Sequence, residues 1–172
     1  MNSDPEEDPP VGELPEDIGD AASDGDFERV KAWLAGASDP RSVNASDGTG
    51  WTLLHWTVLS DQSPEQVEFA RYLISQGARI DAKTWKGETP LHMACDSNGR
   101  HQNPGEETAA MVSMLVAAGT ATVNMGSDDG RTPLFSIDMF CKSTIDVVTA
   151  LLGAGASLDF KHRDGWTRSF EE

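Results

Sequence analysis

Gly87-Glu88-Thr89-Pro90-Leu91-His92-Met93-Ala94 is the stretch from which the rest of the chain can be read. Threonine is a good helix N-cap, and proline at the next position suits a first helical turn, where its missing N–H costs nothing. Leu91 then points from that turn into a core, and the two ring nitrogens of His92 can tie neighbouring turns together. The pattern returns as Gly50-Trp51-Thr52-Leu53-Leu54-His55, Gly130-Arg131-Thr132-Pro133-Leu134-Phe135 and Gly165-Trp166-Thr167-Arg168. The threonines at 52, 89, 132 and 167 set steps of 37, 43 and 35 residues. A period of that length marks a repeat architecture.

Two further series run in the same order. One is Leu34-Ala35-Gly36-Ala37, Ile74-Ser75-Gln76-Gly77-Ala78, Val116-Ala117-Ala118-Gly119 and Leu152-Gly153-Ala154-Gly155-Ala156. The other is Val43-Asn44-Ala45, Ile80-Asp81-Ala82, Val123-Asn124-Met125 and Leu158-Asp159-Phe160. Between the threonine turns and these series lie second helices with paired apolar positions. They are Val67, Phe69, Ala70, Leu73 and Ile74; Met111, Val112, Leu115 and Val116; and Ile145, Val147, Val148, Leu151 and Leu152. Such spacing gives each helix one broad buried face. Ser63-Pro64-Glu65-Gln66 and Ser143-Thr144-Ile145-Asp146 read as N-caps, and Gly77, Gly119 and Gly155 as left-handed C-terminal stops.

Over about residues 20–170 the sequence resembles the ankyrin repeat, whose signature is a Thr-Pro-Leu-His turn opening a helix pair. The resemblance implies an all-α ankyrin-repeat solenoid of helix–turn–helix units joined by β-hairpin turns, with three full repeats between partial terminal ones. The expected units are 16–46 (a starting cap with core face Phe27, Val30, Trp33 and Leu34), 47–83, 84–126, 127–161 and a truncated 162–172. The usual step is about 33 residues. The second repeat is longer mainly through the polar, Gly/Pro-containing loop Asp96–Gly105, and insertions of this kind often sit on a binding face. The family resemblance also aligns Asn44 and Asn124 with the hairpin asparagine that asparaginyl hydroxylases modify in some members; hairpin hydrogen bonding is the alternative use.

Charge divides the chain in two. The net charge is −16, from 29 acids and 13 bases, and residues 1–28 hold eleven acids and no base. Residues 1–15, with Pro5, Pro9, Pro10 and Pro15, read as a disordered acidic tail that buries too little apolar surface to offset ordering entropy. So acidic a chain repels phosphate backbones, which argues against nucleic acid as a partner. No apolar run reaches membrane-spanning length, so no membrane insertion is expected. The absence of a signal-peptide pattern and the presence of two cysteines only, Cys95 and Cys141, point to an intracellular setting, cytoplasmic or nuclear.

Chemistry is sparse. His55, His92, His101 and His162 are scattered, with no nucleophile–base pair and no metal-ligand spacing, so the chain reads as non-enzymatic, without cofactor or metal. Trp33 and Trp56 sit at helix core positions. Trp51, Trp85 and Trp166 instead fall in the hairpin turns, where an indole either folds onto its neighbour or serves as a binding anchor. The resemblance implies a recognition surface made of these turns and the exposed side of the first helices. Its candidate residues are Trp51, Trp85, Lys86, Glu88, Asp129, Arg131 and Trp166, with Met139 and Phe140 on the third repeat's first helix. The expected function is a monomeric protein-interaction module (scaffold, adaptor or inhibitor) with a protein partner. The alternative is a regulatory ankyrin domain of a larger enzyme or channel, or a fragment of one.

Overall fold

The computed structural model describes residues 12–59, 63–96, 106–137 and 144–158. Among these residues seven α-helices follow one another: α1 (Glu16–Asp24), α2 (Phe27–Gly36), α3 (Leu53–Leu59), α4 (Pro64–Ser75), α5 (Pro90–Cys95), α6 (Glu106–Ala118) and α7 (Thr144–Gly153). A 3-10 turn at Pro133–Ser136 stands where a first helix is expected before α7. No strand forms among the described residues; Ser46 makes isolated bridges to Glu13 and Thr52. The helices α1, α3 and α5 and the 133–136 turn stack in one row, and α4, α6 and α7 in a second row behind it. This is the all-α solenoid that the repeat implies.

Local sequence starts and stops the helices. Ser63 and Gln66 close a capping box on α4, with Gln66 N–H donating to Ser63 Oγ at 3.3 Å and Ser63 N–H to Gln66 Oε1 at 3.0 Å. Pro64 occupies the first helical position. Gly77 and Gly155 have φ of 92° and 88°, the left-handed conformation that favours glycine. Gly119 differs from the expectation: its φ is 180°, which any residue adopts. A Cβ there would meet the terminal methyl of Ile80, which a rotation of that flexible side chain can relieve.

The core lies between the two rows. Leu54 and Leu91 are fully buried under the first-row turns, and Val67, Phe69, Ala70, Leu73, Met111, Val112, Leu115, Val147 and Leu151 are buried from the second row. Burying a leucine or valine contributes roughly 1.5–3 kcal/mol, so this interlayer is the main source of stability. Leu134, in the third turn, is only partly buried. In the starting cap Val30 is buried, with Phe27, Trp33 and Leu34 packed partly against the core. Core contacts begin earlier still: Leu14 is buried, and its N–H donates to Ser46 O at 3.0 Å.

The buried face expected for α7 is incomplete. Ile145 and Leu152 are exposed by 76% and 42%. Counted from the loop glycines, they correspond to Val67 and Ile74 of α4 and to Ala109 and Val116 of α6, all buried or partly buried. In those units another second-row helix packs on the element, α6 on α4 and α7 on α6; among the described residues none follows α7.

Candidate functional site

Three five-residue fingers, 47–51, 84–88 and 127–131, lead into α3, α5 and the 133–136 turn of the first row. Each is folded by the side chain that opens it or by one close to it. Asp47 Oδ1 accepts from Thr49 N–H, Thr49 Oγ1 and Trp51 N–H at 2.8, 2.7 and 3.0 Å. Thr84 Oγ1 accepts from Lys86 and Glu88 N–H, both at 3.3 Å. Ser127 Oγ donates to Asp129 Oδ1 at 2.5 Å, and Asp129 Oδ2 accepts from Arg131 Nε at 2.6 Å. The fourth residue of each finger is a glycine with positive φ: Gly50, Gly87 and Gly130. Gly87 is doubly required, since a Cβ would also lie 2.9 Å from Asp128 N.

Adjacent fingers are joined by backbone. Trp85 N–H donates to Thr49 O, and Asp128 N–H to Lys86 O, both at 2.9 Å. Buried histidines tie the bases of the fingers. His92 Nδ1 meets Thr89 N–H at 3.1 Å and Thr89 Oγ1 at 2.8 Å, while Nε2 reaches Arg131 O at 2.9 Å. His55 repeats this with Thr52 and with Glu88 O. A backbone N–H can only donate and a carbonyl only accept, so Nδ1 is the bare nitrogen and Nε2 carries the proton. The rings are therefore neutral. Burial, outweighing the hydrogen bond from Nε2 to Glu88 O, brings His55 down to about 4, and burial lowers His92 as well.

Side-chain amides also brace neighbouring units. Asn44 Nδ2 donates to Gly77 O at 3.0 Å, and its Oδ1 accepts from Arg79 N–H at 2.7 Å. Asn124 does the same with Gly155 O and Ser157 N–H, both at 2.8 Å. Both amides are thus engaged in hydrogen bonds between units.

The candidate residues separate according to their offset from the finger glycine. Trp51 follows its glycine, is half-buried, and packs on Trp56 at 4.9 Å and His55 at 6.0 Å between centroids. Trp85 lies two residues before its glycine and is 67% exposed, with Lys86 Nζ 5.2 Å from its ring centroid. Between the second and third fingers, Trp85, Lys86, Glu88, Asp129 and Arg131 line a cleft of about 340 Å³ together with Asp128, which sequence reasoning passed over. Burial raises the Glu88 carboxyl above its ordinary range. At Asp129 partial burial pushes upward too, but the hydrogen bonds from Ser127 and Arg131 outweigh it and hold the carboxyl down to about 2. Trp166, Met139 and Phe140 lie outside the described residues, as do residues 97–105 of the long loop.

A second cleft, of about 410 Å³, opens on the α2 and α4 side, where sequence reasoning put no site. Phe27 stacks on Phe69 at 4.2 Å, Phe69 on Tyr72 at 5.7 Å, and Lys31 Nζ lies 5.8 Å from the Tyr72 centroid. No local motif announces it, because Phe27 and Phe69 belong to different units. Elsewhere, burial pushes the Cys95 thiol far up, which makes it a packing residue rather than a nucleophile. Among the described residues no group of three or more His, Cys, Asp or Glu converges as a metal site, and no helix is long and apolar enough to cross a membrane.

Known proteins agree with this architecture. A family model for three ankyrin repeats matches residues 18–104, and a single ankyrin repeat model matches residues 86–128. The chain is 26% identical to an ankyrin repeat protein of variola virus, OPG189, over 128 residues, covering 73% of this chain and 21% of that one. It is 27% identical over 143 residues to the RelA-associated inhibitor of Mus musculus, covering 83% and 15% of the two chains. It is 36% identical over 59 residues to the NF-kappa-B inhibitor alpha of Gallus gallus, covering 34% and 17%. The chain therefore spans about a fifth or less of the length of these relatives.

Proposed function

Since the chain belongs to the ankyrin repeat family, we propose that it is a non-catalytic interaction module that binds a protein partner through its hairpin fingers and the neighbouring concave face. The observation that carries this reading is the cleft between the second and third fingers. There a tryptophan exposed by 67% stands among Lys86, Glu88, Asp129 and Arg131 on a frame fixed by backbone hydrogen bonds. An exposed tryptophan on a rigid turn is a good binding anchor, because little conformational freedom is lost when it is covered. Trp51, packed on Trp56, serves the site mainly as support, and Trp166, Met139 and Phe140 extend the proposed surface on sequence grounds. Action as an inhibitor, by occupying a partner's surface, is favoured within this reading, since two of the relatives are named as inhibitors. An intracellular setting, cytoplasmic or nuclear, goes with it.

The test is photo-crosslinking in a cell extract, with a photoreactive side chain placed at position 85 or, as a control, at the exposed Ser113 of α6, which lines neither cleft. A protein crosslinked from position 85, absent from position 113 and displaced by excess unmodified chain is expected. Equal yields from both positions would sink the finger surface. A second reading is a regulatory ankyrin domain of a larger enzyme or channel, or a fragment of one; the exposed apolar Ile145 and Leu152 on α7 suit packing against a further part of such a protein.

A further inference from the structure

Resting on the interaction reading above, we propose that the cleft between the second and third fingers receives an arginine side chain of the partner, its guanidinium lying on the Trp85 indole and reaching the Glu88 and Asp128 carboxylates. The cleft holds three carboxylates (Glu88, Asp128 and Asp129) against two cations, Lys86 and Arg131. Arg131 is committed to Asp129 at 2.6 Å. The Glu88 and Asp128 carboxylates have no ion pair or side-chain hydrogen bond among the described residues. Burial disfavours the charged form of Glu88, so an incoming cation relieves an existing cost there. The indole face is already shown to accept a cation, since Lys86 Nζ lies 5.2 Å from its centroid.

Other anchors fit less well. An aliphatic side chain would strand the two carboxylates out of water. An acidic one would meet them directly, in a chain whose net charge is −16. Lysine offers the same charge, but Lys86 already supplies a point charge. A planar guanidinium stacks on an aromatic face and donates in its own plane at the same time.

The probe is a library of random dodecamer peptides displayed on phage, selected on the intact chain and counter-selected on the Trp85→Ala variant. Trp85-dependent binders with an essential arginine are expected. Replacing that arginine by lysine should weaken binding about tenfold, and by neutral citrulline still further. Glu88→Gln combined with Asp128→Asn should weaken binding and flatten its salt dependence. Lys86→Ala should strengthen binding a few-fold, by vacating the indole face; a Lys86 that contacts the partner itself would give the opposite sign. Trp85-dependent binders that tolerate loss of every arginine would overturn the arginine inference and leave the finger surface standing. If no binder depends on Trp85 while the variant keeps its urea midpoint, both readings fall.

Discussion

In the turn that opens α5, the imidazole of His92 accepts from Thr89 and donates to the Arg131 carbonyl one unit further on. In the turn at Pro133–Ser136, Phe135 stands at the same place, and Thr132 Oγ1 is buried with no hydrogen-bond partner. The proline, the threonine and the leucine are shared; one ring differs. With the imidazole, the second-repeat turn closes its own cap and fastens the next finger. Without it, the third keeps only a 3-10 turn and a partly buried Leu134. One side chain thus does two jobs, a local cap and a tie between units, and both are lost together.

The largest contrast should appear on removing the leucine beneath each turn. Leu91→Ala is expected to cost roughly 2–5 kcal/mol, the usual range for a buried leucine, and Leu134→Ala distinctly less, both read from urea midpoints. Equal costs would mean that the two turns are equally buried in solution.

Acid should act on the histidine turns and spare the third. The pKa of His55 is depressed from 6.5 to about 4 on folding. Its contribution is complete above pH 6.5, where both states are neutral, and is lost as pH falls toward 4, because only the unfolded chain takes up the proton. Between pH 7.5 and 4.5 this amounts to about 2.5 kcal/mol of lost stability, with His92 adding in the same direction. Asp129, held at about 2, titrates below this window. A flat urea midpoint between pH 7 and 5 would show that the rings are not buried neutral.

Exchanging the rings sharpens the comparison. His92→Phe leaves Thr89 N–H, Thr89 Oγ1 and Arg131 O without their partner, at a cost of about 2 kcal/mol. Phe135→His gives Thr132 Oγ1 a partner and should gain up to about 1 kcal/mol. A loss in the second variant would mean that the phenyl ring packs better than an imidazole can bond there.

The smallest effect is expected at the finger tip. Trp85→Ala should leave stability within about 0.5 kcal/mol of the parent, as for other exposed positions. Trp51→Ala should destabilise clearly, by stripping the contact with Trp56. Equal losses would make both indoles structural.

These contrasts mark what the sequence carries. Thr-Pro-Leu-His encodes its structure locally, in residues three apart on one turn, so the turn, its cap and the buried leucine were readable from letters alone. The two tryptophans were harder to tell apart. Their fates follow from position relative to the finger glycine, a signal present in Gly50-Trp51 and Trp85-Lys86-Gly87 that placement in a hairpin turn alone does not show. Asp128 was missed for the opposite reason: nothing beside it is unusual, and it gains meaning only because its N–H pairs with Lys86 O across 42 residues. Gly119 follows the glycine pattern in sequence but not in conformation, since its φ is 180°. The Phe27–Phe69 stack also joins separate units, and no local window contains both rings.

The amide brackets of Asn44 and Asn124 bear on how the molecule ages. Deamidation begins when the following backbone nitrogen attacks the side-chain carbonyl carbon. Here both partners of that reaction are held: the Ala45 and Met125 N–H groups donate to Ser42 O and Thr122 O, and each amide is fixed at both ends by the next unit. Folded, the chain suppresses its own chemical decay at these two residues. An aspartate formed there while the chain is open would return to face the carbonyl of Gly77 or Gly155 with an acceptor in place of a donor. Deamidated peptides from either site would therefore be a lasting record of past unfolding, written by time spent open rather than by time alone.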